Sequence, residues 1–584
     1  MTTARLAGRA LTFQLSGMRL ILLALAAPVL LLGACADTAG LRPRLGTTEA
    51  TEGGSSYGLF LAAQKALNAG DSTAAADLYK RAQAEGLSPE IAQEREFTAA
   101  LLAGDIPRAA KLAPAGDTAS PSMERMGLLV RAVDDMATGK GKSANTILQG
   151  PGVGFPHTVA RTLLAPWSAA QAGDAAASLT RPEAAGDKLV EAFGLLGQAH
   201  LYERARRFDE AETDFKALPA GEGMASFQMA YGGFLERRGR HADALAVYDQ
   251  ALAFAPLDQA LLDSRLRAAG KRGAPAAPSI REGAAQAMLA ASASMLQARQ
   301  QQLSLAYLRL VLRLKPDSDE AWLMVGDVQA QSDETTAARE AYDRIKVNSP
   351  DYVSARSKLA WTYQKAGEKD RAIAVAREAA TQRPGMDSRM VLADLLRANQ
   401  QYDEALQLMT QSLAERPKGW RLLYGRAVVL ERLGRWPEAE ADLKAALAIR
   451  PDDPELLNYL GYSWIDRGER IDEGIAMVQR AVAIYPQSAA MIDSLGWGYY
   501  RKGDYENARK QLEKAIEIEP GNPEINDHLG DVYWRMGRRV EAEFQWRRVL
   551  TLEPDEMIKA RAEAKMKNGL GPKGPAEAPR LAGS

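Results

Sequence analysis

Apolar and polar positions along the second half of the chain follow the period of amphipathic helices. Two such segments form a unit of about 34 residues, and within each segment the apolar residues recur three and four positions apart. A turn that contains glycine separates the two segments, as at Gly367, Gly434 and Gly503. The pattern predicts pairs of helices that are joined by a short turn and repeated along the chain.

Prolines mark the ends of these units at a nearly constant spacing. Successive intervals are 34, 34, 33, 34, 35, 34 and 34 residues, between Pro316, Pro350, Pro384, Pro417, Pro451, Pro486, Pro520 and Pro554. Proline disfavours helix at the residue before it and suits the first turn of the next helix. Small residues such as Gly461 and Gly530 recur further upstream, where they allow two helices to approach closely.

This pattern resembles the tetratricopeptide repeat. The resemblance implies an all-α fold, a right-handed solenoid of about 12 helix-turn-helix units. Eight regular units are predicted over residues 285–554, and a degenerate array of the same kind over 57–267. The period lapses over 268–284, which indicates a linker or hinge between the arrays. A polar capping helix and a disordered tail are predicted over 555–584.

The first 34 residues have the pattern of a secretory signal peptide. Three arginines and no acidic residue accompany the apolar run Leu20–Leu32. As a helix this run would rise only about 20 Å, too little to cross a hydrocarbon core of about 30 Å. The small residues Gly33 and Ala34 precede Cys35, the single cysteine of the chain, and this segment resembles the lipobox of bacterial lipoprotein precursors.

That resemblance implies a lipidated Cys35 as the first residue of the mature chain, with 35–56 as a flexible tether. A multiply acylated cysteine would anchor the protein durably. Ala36 stands where an aspartate would imply retention at the inner membrane, so the periplasmic face of the outer membrane is expected, with the inner membrane as the alternative. Met18 is an alternative start to Met1.

Charge and composition favour a non-catalytic protein. The 584 residues carry 73 Lys and Arg against 74 Asp and Glu, without the basic excess that nucleic-acid binding requires. The four histidines do not occur at metal-ligand spacing, and carboxylate pairs such as Asp452–Asp453 fall at helix starts, where they act as N-caps. We expect no enzyme activity, no metal and no cofactor.

The resemblance also suggests which residues bind partners. In tetratricopeptide solenoids, positions 2, 5, 9, 12 and 13 of each unit line the concave face. Aromatic and arginine side chains there are good interface anchors, although aromatics at helical spacing also pack between neighbouring helices. We define the candidate patch as the residues Tyr424, Arg432, Tyr462, Asp493, Trp497, Tyr500, Arg501, Asp531, Trp534 and Arg535.

Three C-terminal segments extend the resemblance to a family of bacterial tetratricopeptide lipoproteins. They are 458–464, 493–500 and 528–534. The family includes an outer-membrane adaptor, which implies a scaffold whose partners are a carboxy-terminal-processing protease and peptidoglycan hydrolases. The alternative is an assembly subunit for outer-membrane protein insertion, secretion or exopolysaccharide export.

Overall fold

A computed structural model describes residues 55–571, except for 69–70, 117–118, 184–185, 222 and 257. The predicted signal peptide, Cys35 and nearly all of the tether lie outside the described residues, as does the tail from 572 onwards. The described residues form thirty helices and contain no strand, which confirms the predicted all-α repeat fold. Among these helices, none combines the length and the apolar character that a membrane span requires.

Two compact units divide the described chain between Thr362 and Tyr363. The first unit contains α1 (Ser56–Asn68), α2 (Ser72–Ala84), α3 (Pro89–Ala103), α4 (Ile106–Leu112), α5 (Pro121–Ala137), α6 (Gly141–Gln149), α7 (Thr158–Ala172), α8 (Ala175–Ser178), α9 (Lys188–Arg204), α10 (Phe208–Lys216), α11 (Ala225–Arg237), α12 (His241–Phe254), α13 (Gln259–Ala269), α14 (Ile280–Gln297), α15 (Gln301–Leu314), α16 (Asp319–Gln331) and α17 (Thr335–Asp343).

The boundary between the units falls within α18 (Tyr352–Lys365). The second unit continues with α19 (Lys369–Gln382), α20 (Met386–Ala398), α21 (Tyr402–Glu415), α22 (Trp420–Arg432), α23 (Trp436–Ile449), α24 (Pro454–Arg467), α25 (Ile471–Ile484), α26 (Ala489–Lys502), α27 (Tyr505–Ile518), α28 (Pro523–Arg535), α29 (Arg539–Thr551) and α30 (Glu556–Asn568).

Short polar side chains and glycines set the helix ends. Asp453 caps α24, since its Oδ1 accepts hydrogen bonds from the backbone N–H groups of Glu455 (3.2 Å) and Leu456 (3.3 Å). Gly503 ends α26 in the left-handed conformation, with φ of 87°. The carboxylate at Asp453 is therefore a capping group, as the sequence predicts.

Small residues on the first helix of a unit face bulky residues on the second helix, sixteen positions later. A Cβ atom on Gly326 would overlap the ring of Tyr342, and one on Gly232 would overlap Tyr248. The same register places Gly530 against Trp546. Close helix pairing thus depends on a missing side chain opposite a large one.

In the first unit, the helix pair α14–α15 packs back against much earlier helices. α14 contacts α7 and α9, while α15 contacts α3, α4 and α5. A continuous apolar core therefore joins residues near Phe97 to residues near Leu310. Consequently the predicted linker, 268–284, does not separate the compact units; α14 begins within it at Ile280, and the boundary lies at Thr362.

Polar contacts accompany this packing. Arg309 Nε donates to the carbonyl oxygen of Leu102 at 2.9 Å, and Arg313 pairs with Asp134 at 2.8 Å. The buried hydroxyl of Tyr307 lies 2.6 Å from His157 Nδ1. These bonds fix the register of α15 against helices that precede it by about 150 to 200 residues.

Candidate functional site

The candidate patch lies on four successive first helices of the second unit: α22, α24, α26 and α28. α26 contacts α24 on one side and α28 on the other, so the repeat spacing brings equivalent positions side by side. The structure therefore assembles residues that are about 34 positions apart into one surface. Burial along that surface is uneven.

Trp497 and Tyr500 lie inside the helix packing. Only 6% of Trp497 is exposed, and its ring stacks on Tyr500 (4.8 Å between centroids) and on His528 (4.3 Å). Trp497 Nε1 also donates to Asp466 Oδ1 at 3.4 Å. Both aromatic rings hold neighbouring helices together and are not presented to a partner, contrary to the expectation that they are exposed anchors. Tyr424 is likewise buried, edge-on to Tyr459.

Arg501 and Asp493 form polar contacts between neighbouring helices. Arg501 Nη1 donates to the backbone oxygen of Asp466 at 2.7 Å. Asp493 pairs with His528 Nδ1 at 2.9 Å, and both side chains are buried. Burial alone would lower the pKa of His528, but the carboxylates of Asp493 and Glu524 together raise that pKa to about 9. This histidine is therefore held as a cation in the helix packing.

The remaining patch residues on α28 are in contact with the C-terminal segment. Asp531 is buried and accepts hydrogen bonds from Trp546 Nε1 (3.0 Å) and from Lys565 Nζ (2.7 Å). Arg535 Nη1 donates to the backbone oxygen of Gly571 at 2.8 Å. Trp534, which is half-buried, packs against Trp546 and lies beneath the guanidinium of Arg539.

Several side chains of this surface stay partly exposed. From the candidate patch they are Arg432, Tyr462, Trp534 and Arg535. Glu524, at the start of α28, is also half-buried, and desolvation raises its pKa to about 7. These aromatic and ionisable groups are partly shielded from water, and electrostatic interactions are stronger there than in bulk water.

Two charged residues that contact this surface were not among the predicted ones: Arg561 and Lys565 on α30. Their charges meet Asp527 and Asp531 on α28. The signal that identifies them is a matched spacing, because acidic residues four apart on one helix face basic residues four apart on the next. Within the described part of the chain, no group of His, Cys, Asp and Glu side chains has a metal-binding arrangement.

Comparison with known proteins agrees with this architecture. The family model described as "Tetratricopeptide repeat" matches residues 196–258, 289–353, 357–419, 390–454 and 424–489, and the model "TPR repeat" matches 498–537. Together the two models match about half of the chain. Repeats of this kind form interaction scaffolds and are generally non-catalytic.

One similar protein is the TPR repeat-containing protein PA4667 of Pseudomonas aeruginosa, 27% identical over 196 residues. The match covers 33% of each chain, so this chain spans about a third of the length of that relative.

Two solved structures are also similar. Cut9–Hcn1 of the APC/C hetero-tetramer matches at 15% identity and a TM-score of 0.38, over 88% of this chain and 96% of that one. TTC0263, a TPR protein of Thermus thermophilus, matches at 25% identity and a TM-score of 0.28, over 31% and 97%. With the repeat register, the paired helices and the matched family models in hand, the chain belongs to the tetratricopeptide-repeat family.

Proposed function

We propose that this protein is a non-catalytic, lipid-anchored scaffold of the bacterial periplasm that holds envelope proteins on the first-helix surface of its second unit. The observation that carries the proposal is the row of partly exposed aromatic and charged side chains on successive first helices, including Arg432, Tyr462 and Trp534. Such side chains combine apolar area with polar contacts, as interface anchors do.

The anchor and the location rest on the sequence around Cys35. An apolar run followed by small residues and a cysteine is the pattern of a lipidated precursor, and Ala36 favours the outer membrane. The partners we propose are a carboxy-terminal-processing protease and its peptidoglycan-hydrolase substrates. Support comes from the three C-terminal segments that resemble the lipoprotein adaptor family.

Affinity purification from detergent-solubilised envelopes tests this function. Three proteins are compared: the native chain, a Cys35→Ala variant and an Arg432→Glu variant. We expect Cys35→Ala to leave the membrane fraction, and Arg432→Glu to reduce partner recovery by about tenfold, the effect of losing one good interface contact. Arg547→Glu, a charge reversal of an exposed residue on α29, is the matched control.

The possible outcomes distinguish an adaptor, an assembly subunit and a surface without a binding role. Recovery of a processing protease with cell-wall hydrolases supports the adaptor. Recovery of an integral barrel or an export complex instead identifies an assembly subunit and removes the protease from the proposal. Equal recovery with native, Arg432→Glu and Arg547→Glu proteins, all of them folded by circular dichroism, contradicts a binding role for this surface.

A further inference from the structure

The C-terminal helix α30 lies against α28 through a charge-matched contact. Lys565 Nζ lies 2.8 Å from Asp527 Oδ1 and 2.6 Å from Asp531 Oδ1. Arg561 Nε lies 2.8 Å from Asp527 Oδ2. We call Asp527 and Asp531 the acidic pair, and Arg561 and Lys565 the basic pair; within each pair the residues are one helical turn apart.

The acidic pair is more deeply buried than the basic pair. The side chain of Asp527 is fully buried and that of Asp531 is 7% exposed, whereas Lys565 is 11% exposed and Arg561 25%. Burial alone would raise the pKa of Asp527, yet Lys565 and Arg561 together bring that pKa below its usual range. Asp527 therefore depends on the cations of α30 to stay ionised in this position, while burial raises the pKa of Asp531.

Few residues of α30 make apolar contacts with the neighbouring helices. Ile558 and Ala562 are its only buried residues among those the structure describes, and they pack on Val549. Met566 and Leu570 are partly buried and pack against the apolar core of the last repeats. Because the attraction in a buried ion pair is largely offset by desolvation, such a contact provides specificity and little net stability.

We propose that the acidic pair on α28 is a docking site for a basic helix of a partner protein, and that α30 occupies this site until the partner displaces it. The proposal rests on the proposed scaffold function and names the chemistry of its ligand: an amphipathic helix with Arg or Lys four residues apart. Such a helix meets the same carboxylates as α30, close to Tyr462 and Trp534 on the first-helix surface.

Charge complementarity identifies the occupant. The positions of Asp527 and Asp531 fit cations spaced by one helical turn, as α30 demonstrates. Glu524, one turn earlier on α28, continues the acidic row. A partner helix with three basic residues along one stripe matches this row better than α30, which supplies two.

A peptide-binding experiment on the full chain tests the proposal. The probe is a labelled synthetic peptide of residues 556–568, titrated by fluorescence anisotropy into the native chain and into an Arg561→Glu/Lys565→Glu variant. Charge reversal repels α30 from the acidic pair, so we expect the peptide to bind the variant at least tenfold more tightly than the native chain. Added salt weakens the binding because the contact is ionic.

A matched double variant controls for net charge. Lys559 and Lys567 lie on the same helix with exposed side chains, and Lys559→Glu/Lys567→Glu changes the charge by the same amount. We expect this variant to bind the peptide as weakly as the native chain does. Equal binding by all three proteins overturns the proposal.

A second measurement covers the case in which the charge-reversed variant does not fold. Hydrogen exchange of the amides in 556–568 is followed in a Lys565→Ala variant, where faster exchange is expected than in Lys559→Ala. Equal exchange rates in Lys565→Ala and Lys559→Ala would overturn the proposal that a partner can displace α30. A dimer of the charge-reversed variant in size-exclusion chromatography, with peptide binding no tighter than in the native chain, identifies a second copy as the occupant and also overturns the proposal.

These assays need no cellular partner, so the basic-helix site and the scaffold function can be contradicted independently of each other. Peptide binding together with a negative affinity purification contradicts the scaffold alone. Partner recovery without peptide binding contradicts the basic-helix site alone.

Discussion

A glycine opposite an aromatic ring sets the distance between the two helices of a unit. The ring of Tyr342 lies where a Cβ atom of Gly326 would stand, and its hydroxyl donates to Asp327 Oδ1 at 2.8 Å, which restrains the ring. The sequence predicts the small residue at this position from its recurrence. It does not predict the ring, because Tyr, Trp and Leu all occur at the opposing position.

Gly326→Ala should therefore destabilise the first unit, although alanine is the better helix former. We expect a loss of about 1–3 kcal/mol, since the added methyl group forces either the ring or the helix to move. Denaturant unfolding followed by circular dichroism measures it. Gly521→Ala is the control, as the space around Gly521 is open. If the free energy of unfolding changes by the same amount in Gly326→Ala and in the control, the predicted clash between the added methyl group and Tyr342 is wrong.

The shifted pKa of Glu524 predicts that the stability of the folded protein depends on pH. This pKa rises from 4.5 to about 7 on folding, so between these values the folded protein binds more protons than the unfolded chain. The stabilisation is present below about pH 4.5 and is lost as the pH rises through 7. Glu524→Gln keeps the side chain neutral, and we expect it to be more stable than the native chain at pH 8 by about 1–3 kcal/mol.

That difference should vanish near pH 4.5, which thermal unfolding at several pH values checks. His528, Asp493, Asp527 and Arg561 act on Glu524, and the substitution leaves them in place. Glu517→Gln, on an exposed side chain of α27, is the control. A stability difference that does not depend on pH would show that Glu524 does not titrate in this range.

At the scale of elements, helix existence and order follow from the sequence, while long-range packing does not. The proline spacing and the glycine turns predict the helix pairs of the second half, and their family is shown by the matched repeats. The contact of α15 with α3 and α5 is different, because each element has an ordinary amphipathic pattern and no local signal specifies a partner some 200 residues away.

Truncation of a buried leucine should reveal this difference between the units. Leu310 and Leu443 are both fully buried, the first in the long-range core and the second between neighbouring repeats. We expect Leu310→Ala to speed hydrogen exchange across 89–137 as well as 280–343, and Leu443→Ala to act only on adjacent repeats. Faster exchange confined to 280–343 in Leu310→Ala would contradict the long-range core.

At the scale of the whole molecule, the sequence predicts which helices carry the candidate patch but not which of its side chains are exposed. Counting along the repeat correctly places the patch on successive first helices, yet burial depends on neighbours that the count ignores. Trp497 is enclosed by His528 and Tyr500, and Asp531 is covered by Lys565. Each enclosing group lies on another helix or one turn away, so three-dimensional packing decides which aromatic and charged groups reach a partner.

The long-range core of the first unit also delays its folding during synthesis, because the core includes residues that are made late. Leu102 leaves the ribosome 207 residues before Arg309, with which it will pair. At about 5–20 residues per second, the interval is roughly 10–40 s. During that time the apolar residues of α3 to α7 have no α14 and α15 to cover them, so they stay exposed for longer than the nearest-neighbour packing of the later repeats would require.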